Sequence, residues 1–208
     1  MSIFNQTGNQ KIFFTSDTHF GSERTLELSK RPFISVEKMD EVLIRNWNSV
    51  VDSHSIVYHL GDFGDIETAK SLNGEIFLIP GNYEYDNENN IFSIYKGGNK
   101  FDVSKYEFIE VLNKNFIKPL FPDDDNLLMP VKLMNNIYGS HIPSYHKYIP
   151  DNKDYFYLFG HIHKLQMVKR YGLNVGTDCH NFTPISYEDV LFYKNGIEKY
   201  YDNEVFDY

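Results

Sequence analysis

The sequence carries one cysteine among 208 residues, Cys179. A lone thiol excludes an internal disulfide framework and fits a reducing compartment; its simplest role is that of a small buried apolar side chain. Long hydrophobic runs are missing as well. No apolar stretch nears the roughly 20 residues that a membrane-spanning helix requires, and Met1 to Gln10 offers neither the basic nor the apolar part of a secretory leader. The expected setting is cytoplasmic and away from membranes, with residues 1–10 as a loose polar start. Positive charge is scarce too: 20 Lys and Arg face 29 Asp and Glu, a net charge of -9. That balance speaks against an extended basic groove for long nucleic acid. It leaves room for a small or end-bound phosphate ester, because bound divalent cations would add positive charge that the count omits. Internal repeats and low-complexity linkers are absent, so residues 1–208 read as one domain. Nothing in the composition sets an oligomeric state.

What the chain does have is a series of short apolar runs, each stopping at a polar, metal-competent residue. Lys11 to Ser16 ends in Asp17-Thr18-His19. Ile56 to Leu60 ends in Gly61-Asp62, and Glu75 to Pro80 in Gly81-Asn82-Tyr83-Glu84. Asn136 to Ser140 ends in His141, and Tyr155 to Phe159 in Gly160-His161-Ile162-His163. Runs of this length and content fit buried strands. In open α/β sheets the C-terminal ends of strands face one crevice, so these residues are expected to meet there. Asp62 alone reads as readily as the N-cap of a helix over 66–72. The repetition of the pattern favours a site, in which a carboxylate at a strand end directs its two oxygens at different cations.

Between these runs, Ser22 is placed to cap a short helix through Lys30, ended by Arg31-Pro32-Phe33. Residues 36–51 set Val36, Met39, Leu43, Trp47 and Val50 at spacings of three and four, an amphipathic helix with Trp47 in its buried stripe. A helix over 66–72 between two strands gives a β-α-β unit and hence parallel pairing. Residues 85–135 lose the pattern in turn-rich polar segments and read as an elaboration that shapes the substrate pocket. Strands are expected over 165–171 and 173–175, with a short helix after Ser186. Together these pieces describe an α/β chain of two packed sheets with helices outside.

Taken in order, Asp17-Thr18-His19, Gly61-Asp62, Gly81-Asn82, Ser140-His141 and Gly160-His161-Ile162-His163 make the chain similar to the calcineurin-like metallophosphoesterase family. The likeness spans about residues 12–180 and is to its small bacterial and phage members. The resemblance implies a four-layer α/β/β/α sandwich with metals at the strand ends. It implies that Asp17, His19, Asp62 and His163 hold one divalent cation, and Asp62, Asn82, His141 and His161 a second. Mixed imidazole, carboxylate and amide ligands suit manganese first, with Fe, Co, Zn or Ni as alternatives. His161 and His163 alternate on one extended segment, so each can serve a different metal. His54, His59, His146 and His180 match no ligand position, although His59 can orient a ligand from behind. Asp65 either supports the Asp62 loop or caps a helix.

Two cations about 3.5–4 Å apart can hold a bridging hydroxide and steady an in-line displacement at phosphorus. The reaction then needs no covalent nucleophile from the protein. Arg24 and Arg31 follow the first ligand loop and read either as solvated surface charge or as forks for a substrate phosphate, Arg31 the better placed because Pro32 fixes its neighbourhood. One departure from the family pattern matters. A histidine and an acid usually follow the G-N asparagine, where this chain has Tyr83 and Glu84. Tyrosine, with a reference pKa of about 10, is a weaker proton source and should serve poor leaving groups least well. Glu84 becomes a candidate spare acid or metal-shell group. Small family members lacking that histidine include phosphodiesterases. The reading is therefore a dinuclear phosphodiesterase for a small nucleotide, cyclic nucleotide or nucleic-acid end, with a phosphomonoesterase or a non-catalytic binding module of the same fold as alternatives.

Overall fold

The computed structural model describes residues 10–113, 117–149 and 154–206; the loose start expected over residues 1–10 lies, Gln10 apart, outside the described residues. Strand β1 (Ile12–Thr15) leads to α1 (Glu23–Leu28), where Ser22 accepts from the Thr25 backbone N–H as the expected cap. Helix α2 (Val36–Val50) starts from a Ser35 cap and buries Met39, Leu43 and Trp47 on one stripe. The Trp47 indole donates to the Asn73 carbonyl at 2.9 Å, which fixes it as packing. Strands β2 (Ile56–His59) and β3 (Glu75–Leu78) follow, with β1, β2 and β3 mutually parallel. Between β2 and β3, Ile66–Ser71 winds as a 3-10 helix, not an α-helix, and its cap is Asp65, not Asp62.

Residues 85–103 form a separate antiparallel sheet of β4 (Tyr85–Asp86), β5 (Ile91–Lys96) and β6 (Asn99–Val103), turning at Gly97-Gly98. Helix α3 (Lys105–Asn113) then precedes β7 (Ile117–Pro119), which lies parallel to β3. The second large sheet comprises β8 (Val131–Met134), β9 (Ile137–Gly139), β10 (Phe156–Phe159), β11 (Val168–Lys169) and β12 (Gly172–Asn174). The strand expected over 165–171 is mostly absent: a 3-10 turn occupies His163–Leu165 and only β11 remains extended. His163, at φ +48°, bends the chain just before it. Strand β13 (Ile185–Ser186) returns to pair antiparallel with β1, and the helix after Ser186, α4 (Tyr187–Tyr200), is longer than expected and opens on a Ser186–Asp189 capping box.

Among the described residues the first sheet runs 13-1-2-3-7 and the second 11-12-10-9-8. Strand periodicity of two separates the layers. Phe13, Val57, Ile76 and Leu78 pack with Met39, Leu43 and Trp47 of α2. Their neighbours Phe14, Ile56, Tyr58 and Ile79 pack instead with Ile137, Phe156, Leu158 and Leu173 of the second sheet. Val190 and Ile197 of α4 join that inter-sheet cluster. On the far face of the second sheet, Tyr157 and Phe159 meet Ile149. There the expected helical layer is a 3-10 turn over Pro143–Tyr148, with His146 stacked on Tyr171. The fold is thus α/β with two packed sheets, and no described helix is long and apolar enough to cross a membrane.

Candidate metal centre

Strands β1, β2, β3, β9 and β10 each hand over to the polar residues singled out in the sequence, and the turns off them are sharp. Of the ten non-glycine residues with positive φ among those described, five are Asp17 (+56°), His19 (+49°), Asp62 (+57°), His161 (+73°) and His163 (+48°). Such a conformation costs a residue with a Cβ roughly 1–2 kcal/mol and persists where the surroundings impose it. Close approach imposes glycine next to them. A Cβ on Gly81 would lie 2.3 Å from Asp62 Oδ1, and one on Gly160 2.4 Å from Asp17 Oδ2.

The loops bring the seven predicted ligands together. Candidate donor atoms of Asp17, His19 and His163 lie within 4.8 Å of one another, and so do those of Asp17, Asp62 and His141. Asp62 Oδ2 sits 3.5 Å from His19 Nε2 and 3.3 Å from His141 Nε2, between the two groups. Asn82 Oδ1 is 2.9 Å from both His141 Nε2 and His161 Nδ1. The sequence reading makes Asp62 the one shared carboxylate; here Asp17 reaches both groups as well.

His19 tests whether a cation fits. The ring is 1% exposed, and neither nitrogen has a hydrogen-bond partner. An unpaired buried polar atom costs about 1–3 kcal/mol, a penalty that a cation accepting the Nε2 lone pair would remove. Burial pushes the His19 pKa down to about 3, so the ring is neutral, as a ligand must be. His141 donates Nδ1–H to the Leu60 carbonyl at 2.8 Å, which turns Nε2 towards Asp62. Burial opposes charge on that ring, yet Asp62 and Asp17 draw its pKa up to about 10. The two carboxylates thus call for positive charge at this spot. Burial also works against the Asp62 charge, but His141 and His19 hold its pKa below the usual carboxylate range. The donor set and its electrostatics fit divalent cations.

Four buried side chains brace these ligands. Glu84 accepts from the backbone N–H groups of Gly81 (2.9 Å), Asp62 (2.8 Å) and Phe63 (2.8 Å). Burial and the Asp62 charge push its pKa up to about 7, against the pull of those amides. The spare-acid reading of Glu84 gives way to a tie between two ligand loops. Arg31 also needs correcting: it is 5% exposed, so it is neither a surface charge nor a fork for phosphate. Its guanidinium grips Asp178 at 2.9 and 2.7 Å and donates to the carbonyls of Thr18 (2.9 Å) and Asp17 (2.5 Å). Asp178, which the sequence shows only as the acid of NVGTD, accepts from His163 Nδ1 at 2.8 Å. His59 does support a ligand loop from behind: it is fully buried, and its Nε2 bonds Thr18 Oγ1 at 2.9 Å, between Asp17 and His19.

At the mouth, Tyr83 donates its backbone N–H to Asp62 Oδ1 at 2.9 Å. Its ring stands edge-on to His19, centroids 4.7 Å apart at 76°. Exposed Arg24 donates to the Tyr83 hydroxyl. Asp65 caps its 3-10 helix and also accepts from Gly98 N–H at 3.0 Å, which moors the tip of the β5–β6 hairpin beside this mouth. That hairpin had no periodic signal in the sequence.

No protein-family model matches the chain. An uncharacterized protein of Methanocaldococcus jannaschii is 39% identical over 105 residues, 47% of this chain and 53% of that protein, so the chain spans about half the relative's length. A protein of unknown function from Aquifex aeolicus superposes with a TM-score of 0.56 at 18% identity, covering 88% of this chain and 99% of that one. That likeness is one of fold. The Pseudomonas putida nuclease MPE superposes at a TM-score of 0.37 and 15% identity over 73% of this chain and 61% of that one, too low to bear on activity.

Proposed function

We propose that the chain is a metal-dependent phosphoric ester hydrolase of the calcineurin-like metallophosphoesterase type, acting on phosphodiesters of a small nucleotide, cyclic nucleotide or nucleic-acid end. The observation that carries this reading is the buried His19 ring, with both nitrogens unpartnered, inside a cluster of carboxylates and imidazoles at strand ends. Asp17, His19, Asp62 and His163 would hold one divalent ion and Asp62, Asn82, His141 and His161 a second, manganese first among the candidates. Such ions supply Lewis-acid charge to phosphoryl oxygens and acidify a bound water.

The chain's own residues set the geometry. The Leu60 carbonyl fixes the His141 tautomer and Asp178 that of His163, while Glu84 ties the Asp62 and Asn82 loops together. Tyr83 stands against His19 with its hydroxyl paired to Arg24, placed to donate a hydrogen bond to an ester oxygen, with Arg24 ready to meet a phosphate oxygen. A tyrosine donates a proton less readily than a histidine, which supports diesters with competent leaving groups over monoesters. The 85–103 hairpin serves as a wall of the substrate pocket within a single domain, and one cysteine suits a reducing, cytoplasmic setting.

The test compares turnover of bis(p-nitrophenyl) phosphate and p-nitrophenyl phosphate, with added manganese and with chelator. Diester preference that chelator abolishes is expected. Monoester preference would move the reading to a phosphatase, and chelator-resistant turnover would sink it.

A further inference from the structure

We propose that the cavity between the metal-ligand cluster and the β5–β6 hairpin is a subsite for an aromatic ester arm, a phenyl-like or nucleobase-like ring, with Tyr95 as its specificity-determining wall. The inference rests on the proposed function only for the phosphoryl end of the ligand.

The cavity, of about 70 Å³ and open at the mouth, lies against His19, Gly21, Asp65, Tyr83, Tyr95 and Gly98. Tyr83 and Tyr95 line it with two half-buried rings whose centroids lie 6.1 Å apart at 32°, the Tyr83 ring standing edge-on to His19. Glycines leave part of the lining open. A Cβ on Gly98 would meet nothing within 4 Å, and one on Gly21 only Asp65 Cβ at 3.5 Å, so the space in front of the rings is not filled by the protein.

The wall is held at this distance. Asp65 accepts from Gly98 N–H at 3.0 Å, and its backbone bridges to Tyr95 in parallel register. Tyr95 comes from a hairpin that belongs to neither large sheet, yet the residue that moors it is three positions after Asp62. Cations flank the face: Arg24 at 5.8 Å from the Tyr83 ring centroid and Lys100 Nζ at 5.7 Å from that of Tyr95. Two aromatic faces beside a phosphoryl site, rimmed by a guanidinium and an ammonium, match an anionic ligand whose ester arm is a flat ring. Stacking on such faces tolerates many rings, so the subsite selects aromaticity more than one base.

Phenylphosphonate and methylphosphonate test this without turnover, since neither has an ester bond to cleave and they differ only in the ring. Their affinities for the manganese-treated protein are measured by calorimetric titration, with and without chelator. Phenylphosphonate is expected to bind about tenfold tighter in the wild type, the worth of one ring-stacking contact. In Tyr95→Ala the two affinities should converge, and Tyr95→Phe should restore the preference. Equal affinities in the wild type, or a preference that survives Tyr95→Ala, would overturn the subsite. Binding of methylphosphonate that chelator leaves unchanged would instead sink the metal-held phosphoryl end, and the ratio of the two ligands still reports on Tyr95.

Discussion

Asp178 accepts the Nδ1–H of His163 on Oδ2 at 2.8 Å, and the Arg31 guanidinium grips both oxygens of the same carboxylate, sharing Oδ2 with His163. The bond fixes the tautomer of His163 and leaves the Nε2 lone pair as the one a cation could use, in a ring grouped with Asp17 and His19. Burial works against the Asp178 charge, but the His163 and Arg31 contacts hold its pKa well below the usual range. Asp178→Asn should therefore weaken divalent-metal affinity about 10–100-fold, as loss of such outer support typically does. Metal titration of the variant checks it; affinity equal to wild type would reduce Asp178 to a partner of Arg31 alone.

The unpartnered nitrogens of His19 make an opposite pair of effects. In metal-free protein, His19→Phe should raise stability by about 1–3 kcal/mol, because two unsatisfied buried atoms disappear. The same change should remove bound metal and activity. Thermal melts of both proteins in chelator, beside metal analysis, test this; a less stable metal-free variant would mean that His19 has partners of another kind.

Two buried histidines should each work against the fold of the metal-free protein as pH falls through a defined window. Burial pushes the pKa of both His19 and His59 down to about 3 in the folded chain, from the ordinary value near 6.5. The unfolded chain then binds more protons between those limits. The proton-linked cost of the two rings is nil above pH 6.5 and grows as pH falls towards 3. Each ring adds a slope of up to about 1.4 kcal/mol per pH unit. Glu84, its pKa raised to about 7, and Asp40, its pKa raised to about 6, act with the opposite sign over the same range, so the readout is a difference: in denaturant melts from pH 6.5 to 4, His59→Leu should remove one proton's worth of downward slope relative to wild type, and an unchanged slope would contradict the neutral buried ring.

Tyr83→His should raise monoester hydrolysis relative to diester hydrolysis, because it restores a stronger proton donor beside His19. Paired kcat measurements on the two nitrophenyl esters decide it. An unchanged ratio would assign the preference to the hairpin wall.

Much of this arrangement is legible in the chain because strands announce their ends. Apolar runs closing on Asp17, Asp62, Asn82, His141 and His161 follow from burial on both faces of parallel strands, and α2 follows from its three-and-four spacing. Arg31 was misread because an arginine's burial depends on a carboxylate 147 positions away, which no local pattern reveals. Asp178 was missed for the same reason. Glu84 looked like chemistry, but its oxygens face backbone amides brought in by Gly81 and Phe63. The Tyr95 wall is hard to read because only Phe92, Ser93 and Ile94 of residues 91–103 are buried, too short an apolar stretch to announce a hairpin among polar neighbours.

The most direct test of the account is calorimetric titration of metal-free protein with manganese, wild type beside Asp62→Asn. Asp62 Oδ2 lies between His19 and His141, so the wild type should take up two ions per chain, and the variant should keep its fold while losing at least one of them. A wild-type chain that takes up no divalent ion, or an Asp62→Asn chain that binds two with unchanged affinity, would contradict it.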